Sequence, residues 1–389
     1  MASSARRVSL HPLFGHADLQ ASLSRAWAAG TIPSSVLIHG PRGVGKQRLA
    51  LWLGQLLLCA ESGVAGPCGD CKACRTALNL EHPDLHWYFP LAKPKGVRPN
   101  KLADAMEEAR YDVLAERRSS PLRPAPAASE PTGLYLAVAQ TLRSHAQRRP
   151  AVGPRQVFVV GDSETLVPQE SSQEAANALL KVLEEPPATT FLILTSSEPG
   201  LLLPTIRSRT MPLHLPPLAA DQVERFLVDV GEIPQHAARR AAQLGRGSIG
   251  RALGFLPIGE DPGPLEVLRG QAFELLRAAS DTDGGSVYRR SLELGATRSR
   301  GLMPLFELLE DALRDLSAVA AGVTDGLINT DQEDFLERIL DRRDIHPVTV
   351  TRAFRHLEEA KELVAGNVNP QLIVAGLLTG IREELIGNP

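Results

Sequence analysis

Residues 34–47 read SSVLIHGPRGVGKQ. SSVLIHG is a short apolar run that closes on Gly, the pattern of a buried strand. GPRGVGK then follows the phosphate-loop pattern G-x-x-x-x-G-K-[ST] up to its last letter, where Gln47 stands in place of Ser or Thr. QRLALWLGQLLLCA continues as a helix. Strand, glycine loop and helix in that order are the context that the pattern requires. Gly40, Gly43 and Gly45 let backbone N–H groups turn towards phosphate oxygens, and the helix N-terminus adds positive potential. Lys46 has the length to reach β- and γ-phosphates. The absent hydroxyl is the group that normally holds Mg²⁺, and the Gln47 amide oxygen sits on a longer arm, so metal placement should suffer. Whether ATP or ADP still binds the loop is left open by these residues.

Working outward, QVFVVGD (156–162) and TTFLILT (189–195) are further buried strands, with the helix SSQEAANALLKVLEE (171–185) between them, stopped by Pro186 and Pro187. The alternation β-α-β-α-β predicts a parallel sheet covered by helices. Asp162, at the end of its strand, is placed either to hold water on a metal ion or to serve as a turn acid. Ring-forming ATPases carry Glu directly after this Asp, as the base that orients the attacking water. Here the position is Ser163, and Glu164 comes one residue later. On a continuing strand Glu164 points to the opposite face. The lost hydroxyl and the lost base argue together against hydrolysis at this site.

All four cysteines lie in one stretch, CAESGVAGPCGDCKAC: Cys59, Cys68, Cys71 and Cys74. Four clustered thiols in a reducing compartment argue for a metal rather than for disulfides. Tetrahedral zinc suits the C-x2-C steps, and an iron–sulfur cluster is the rival. Net charge is −3, so no global basic field for nucleic acid exists, although a local basic surface is compatible with it. The start MASSARRVSLHPLFG has no signal-peptide core, and no apolar run approaches the ~18 residues of a membrane span. A soluble cytosolic chain is the expectation. Residues 92–131 combine Pro-rich flanks with a charged helix candidate, KLADAMEEARYDVLAERR, and are expected to form a mobile, exposed excursion. Beyond about Pro217 the pattern becomes helical, with i, i+3, i+4 apolar spacing.

NALLKVLEEPP (177–187), followed after a strand by TIRSRT (205–210), resembles the clamp-loader branch of the AAA+ ATPases. The cysteine spacing, HPD (82–84), the segment from Leu13 to Lys46 and GRGSIGRAL (245–253) agree. The likeness covers roughly residues 10–255, and the C-terminal part, NVNPQL (367–372) included, agrees weakly. Within this branch the chain is similar to the delta-prime type, with its damaged nucleotide site, more than to the gamma/tau motors. The resemblance implies an α/β AAA+ domain over 1–216, carrying the zinc module at 59–74 and the insertion at 92–131. It also implies a helical lid over 217–262 and an all-α collar over 263–389. It makes Arg209 an arginine finger given in trans to a neighbour's ATP, with Thr210 where the family motif has Cys. Thr195 matches a residue that senses the γ-phosphate, and is equally an ordinary strand-end Thr. The residue that would carry the lid's sensing arginine is Gly250, with Arg251 one step later.

The function implied is that of a stator in a pentameric ring. Its partners would be gamma/tau and delta subunits, with the sliding clamp and primed DNA reached through the complex, in the cytoplasmic, nucleoid-associated replisome. Zinc would be structural, and the chain a polymerase-holoenzyme subunit without catalysis of its own. An ATP-hydrolysing motor and a free-standing zinc-containing nucleic-acid-binding protein are the alternatives.

Overall fold

The computed structural model describes residues 10–122, 132–166, 174–281, 284–293, 299–341, 345–364 and 368–386. The chain divides into two compact units, Met1–Leu253 and Gly254–Pro389. The first begins with α1 (Ala17–Ala28), β1 (Ser35–His39), α2 (Lys46–Leu58), α3 (Lys72–Leu78), β2 (Leu85–Tyr88) and β3 (Leu91–Ala92). It continues through α4 (Leu102–Ser119), β4 (Thr132–Gly133), α5 (Leu136–Ala146), β5 (Gln156–Val160), α6 (Glu174–Glu184) and β6 (Thr190–Ser196). It closes with α7 (Pro204–Arg207), β7 (Met211–His214), α8 (Ala220–Asp229), α9 (Gln235–Gly245) and α10 (Ile249–Gly254).

Five strands form one parallel sheet in the order β2-β5-β6-β1-β7. β6 lies between β1 and β5, with Ile38 opposite Thr195 and Val160 opposite Leu194. All five residues of β5 are buried, as are Val36, Leu37 and Ile38 of β1. Such continuous apolar strands need cover on both faces. On α2, Leu49, Leu53, Leu56 and Leu57 are fully buried in this core. The architecture is the helix-covered parallel sheet that the β-α-β-α-β alternation predicts. It places the C-terminal ends of β1, β5 and β6 side by side, where loops after parallel strands gather ligands.

The segment 92–122 is not the exposed excursion that its charge suggests. Met106, Arg110 and Leu114, spaced i, i+4, i+8, put one face of α4 against the core, the buried Arg110 being paired with Glu107 at 2.6 Å. Residues 91–92 and 132–133 pair as a short antiparallel ribbon at the base of the excursion. Residues 123–131, the rest of its second Pro-rich flank, lie outside the described residues.

The described part of the second unit is helical: α11 (Pro264–Ala279), α12 (Gly284–Glu293), α13 (Met303–Ala320), α14 (Glu333–Asp341), α15 (Pro347–Val364) and α16 (Pro370–Ile386). Pro264 and Pro370 sit at first helical positions, where the missing N–H costs nothing. Leu276, Phe306, Leu309, Leu313, Leu357 and Ile381 are completely buried in this unit.

Candidate functional site

The loop between β1 and α2 keeps the glycine geometry of a phosphate cradle, but its polar groups are turned inward. Lys46 opens α2 and is 5% exposed. Its ammonium donates to Gly40 O at 2.9 Å, Pro41 O at 2.8 Å and Ser197 Oγ at 2.9 Å. Three donors thus have three partners inside the protein. Burial lowers the Lys46 pKa, against the opposing pull of Asp162 and Glu164.

The metal side of the loop is equally occupied. Gln47 Nε2 donates to Asp162 Oδ2 at 3.0 Å, and Gln47 Oε1 accepts from Trp87 Nε1 at 3.1 Å. The space for this amide exists because residue 161 is glycine: a Cβ there would lie 2.8 Å from Gln47 Cδ. The donor set at this position therefore does not fit a Mg²⁺ site. The acid is already hydrogen-bonded to an amide, and the hydroxyl that would join it on the metal is missing.

β5 ends at Val160, two residues before Asp162, which takes a left-handed conformation with φ 47°. Asp162 N–H donates to Thr195 Oγ1 at 3.1 Å, so the Thr195 hydroxyl is engaged within the sheet rather than held towards the loop. Ser163, in the place of the base, is buried and donates to Thr195 O at 2.8 Å. The turn then enters a short 3-10 segment, which overturns the strand geometry assumed for Glu164. Glu164 Oε1 accepts from Ser197 N at 3.1 Å, and Ser197 Oγ is a partner of Lys46. Burial raises the Glu164 pKa, and neighbouring Asp162 adds to the shift.

The segment 248–251 closes against the loop. Ser248 Oγ donates to Arg42 O at 3.1 Å, and Gly250 N to Gly43 O at 3.0 Å. Gly43 has φ 76°, and a Cβ on it would meet Ser248 Oγ at 2.6 Å, while a Cβ on Gly250 would lie 2.9 Å from Gly43 O. A side chain at position 250, arginine above all, has no room in this arrangement. Arg251 Nε donates to Leu244 O at 3.2 Å.

Arg209 follows α7 and stands among α6 and α7 residues. Its guanidinium meets Glu184 at 3.1 Å, with the side chains 37% and 48% exposed, and donates to Thr205 O at 3.2 Å. Thr210 is buried and its hydroxyl donates to Ile206 O at 3.1 Å, so the exchange from Cys is absorbed by the α7 backbone.

Comparison with known proteins decides the family. The family model described as "DNA polymerase III, delta subunit" matches residues 15–219. The chain belongs to that family. A DNA polymerase III subunit delta' of Pseudomonas aeruginosa is 31% identical over 213 residues, covering 54% of this chain and 52% of the relative. The subunit delta' of Escherichia coli K12 is 32% identical over 232 residues, covering 59% and 57%. A subunit gamma/tau of Mycobacterium bovis is 31% identical over 205 residues, covering 53% and 28%. The chain spans about half the length of the delta' relatives that it matches.

In this member of the DNA polymerase III delta subunit family the four cysteines converge at the C-terminal end of α2. Their sulfurs all lie within 4.8 Å of one another. Cys59–Cys68, Cys68–Cys74 and Cys59–Cys71 Sγ separations are 3.5, 3.9 and 3.9 Å. Tetrahedral Zn–S bonds of about 2.3 Å put sulfurs about 3.8 Å apart, so the set fits one ion. The N–H groups of Cys68, Cys71 and Cys74 point at Cys59, Cys68 and Cys71 sulfurs at 3.4, 3.3 and 3.4 Å. Such bonds favour thiolates. Burial works against ionisation of Cys71, yet the Cys74 N–H and neighbouring groups bring its pKa down to about 6, whereas burial raises Cys74 and Cys59. An ion here would be held by Cys59, Cys68, Cys71 and Cys74 together.

Trp87, Gly161 and Ser197, which complete the nucleotide-loop network, carry no motif that singles them out in sequence. HPD proves architectural: Asp84 is buried and accepts from Val152 N and Gly153 N, each at 3.0 Å.

Proposed function

We propose that this chain is the delta-prime subunit of a bacterial clamp loader, acting as a stator and giving Arg209 to the ATP site of a neighbouring gamma/tau motor. The observation that carries this reading is the contrast between the two sites. Lys46, Gln47 and Asp162 are satisfied inside the protein, whereas Arg209 remains partly exposed, held by the half-exposed Glu184 and by Thr205 O. In the assembled ring the Arg209 guanidinium would neutralise charge developing on the γ-phosphoryl group of the neighbour's nucleotide, a contribution of about 10³–10⁵ in arginine-finger enzymes. Residues 217–262 serve as lid and 263–389 as collar, joining gamma/tau and delta subunits in a pentamer that opens the sliding clamp for primed DNA in the cytoplasmic replisome. The cysteine cluster holds structural zinc, which stabilises the end of α2 and lies apart from the chemistry.

The test is reconstitution with motor and delta subunits. Arg209→Ala should leave assembly intact and depress DNA-stimulated ATPase and clamp loading; unchanged hydrolysis would refute the finger. One observation favours a second reading, a motor with its own ATPase: the half-buried Glu164 is carried to Ser197, beside Lys46. ATP turnover by the purified chain, abolished by both Lys46→Ala and Glu164→Gln, would establish that reading and sink the stator.

A further inference from the structure

The sandwiched arginine of α4 leads to the degenerate loop. The Arg117 guanidinium lies 4.3 Å from the Trp87 ring centroid and 4.1 Å from that of Phe89, and the two rings meet edge-on at 5.2 Å. Trp87 donates to Gln47, and Gln47 donates to Asp162. An unbroken line of contacts therefore runs from a cation on the inserted helix, through one indole and one amide, to the acid that would otherwise serve a metal ion.

We propose that the metal position of this nucleotide site is filled by the protein itself, Gln47 standing in for the ligand and Arg117 supplying the positive charge. The proposal deepens the stator reading and rests on it: the chain's own loop has lost not only the metal ligands but the need for the ion. Three physical arguments support it. A partly buried carboxylate needs nearby donors and cations; Gln47 provides the donor, and Arg117 adds its charge to that of Lys46. Guanidinium stacks on aromatic faces, so it enters between Trp87 and Phe89 where an ammonium would not. Burial lowers the Arg117 pKa to about 10, and Asp162 is the foremost of the groups that pull it back up. The buried face of α4 is what delivers Arg117, so the insertion and the damaged loop belong to one device.

A double-mutant cycle on the full chain tests the charge relation. Arg117→Met and Asp162→Asn are compared singly and together by denaturant unfolding at low salt. The expected result is that Asp162→Asn cancels part of the Arg117→Met effect, a coupling of at least about threefold in the unfolding equilibrium constant. Strict additivity overturns the proposal. Metal exclusion is read with Mn²⁺ and ADP by the resonance signal of bound Mn²⁺. Wild type should bind none, Gln47→Thr should bind weakly, and Gln47→Thr with Arg117→Met should bind at least about tenfold more tightly than Gln47→Thr alone. Equal binding by those two variants overturns it. Arg117→Lys covers the case in which Met is not tolerated: an ammonium does not stack between the two rings, so the Gln47→Thr, Arg117→Lys chain should also bind Mn²⁺ more tightly than Gln47→Thr alone, and equal binding overturns the proposal. ATP hydrolysis by the wild type would remove the stator reading itself, whereas an inert wild type with additive variants removes only the role of Arg117.

Discussion

Arg209 and Glu184 form a half-exposed pair that contributes little to folding. Exposed ion pairs are worth about 0–1 kcal/mol, so Glu184→Gln should move the melting temperature by no more than about 2 °C. On the role proposed for Arg209, the same carboxylate would compete with phosphate for the guanidinium. In the reconstituted complex Glu184→Gln should raise kcat/KM for ATP about twofold, as expected for a lost competitor of modest strength. Steady-state ATPase at several ATP concentrations checks this, and a fall in kcat would make Glu184 a positioning residue instead. His86 supplies a pH effect. It stacks on Phe158 at 4.7 Å, and burial, helped by nearby His145 and Arg110, lowers its pKa to about 4. The unfolded chain therefore binds the proton first as pH falls. Stability is complete above about pH 6.5 and is lost between about 6.5 and 4, by up to about 3 kcal/mol. Denaturant titrations at pH 7.5 and 5 should show the loss, and His86→Phe should shrink it.

At the scale of elements, α4 shows where charge misleads. Its sequence is charged overall, but the apolar spacing 102, 106, 114 was already visible, and the weight given to the Pro-rich flanks hid it. Met106 is completely buried, so Met106→Ala should cost about 2–5 kcal/mol, far beyond a change on a solvated helix. Chemical unfolding of the full chain measures it. The strand–loop–helix reading of 34–58 held because glycines, lysine and apolar run are local signals. The inward turn of Lys46, Gln47 and Glu164 was not legible, since it depends on Trp87, Ser197 and Gly161 arriving from other strands. In the second unit Asp315 on α13 accepts from Ile328 N at 3.0 Å and from Asn329 N and Nδ2, both at 2.7 Å, while Asn329 Oδ1 takes Arg269 Nε at 2.7 Å. Asp315→Ala leaves several buried donors unmatched and should destabilise the chain by about 3 kcal/mol, read by the same unfolding experiment.

For the whole molecule, a net charge of −3 over 389 residues predicts little affinity of the isolated chain for DNA. A salt-dependent, submicromolar interaction in a binding titration would revive the nucleic-acid-binding alternative. Metal analysis of protein purified without chelator should find about one zinc per chain, and a chelator should lower the melting temperature, because binding energy at a cysteine site is folding energy. The family was legible from short motifs across the first unit. The second offered only helical periodicity, which many bundles share.

Gln47 lying over Gly161 also makes the loss of the metal site hard to undo in small steps. A lone return to Thr at position 47 would strip partners from the Trp87 N–H and the Asp162 carboxylate, at about 1–3 kcal/mol for each buried group. A side chain at position 161 would first have to evict the amide. Each single reversal therefore passes through a chain less stable than the present one, before any gain in nucleotide chemistry is available to offset it. On the stator reading the loop would behave as a ratchet in sequence space: a lineage that had packed its metal site with side chains would be held to the non-hydrolysing form by its own core.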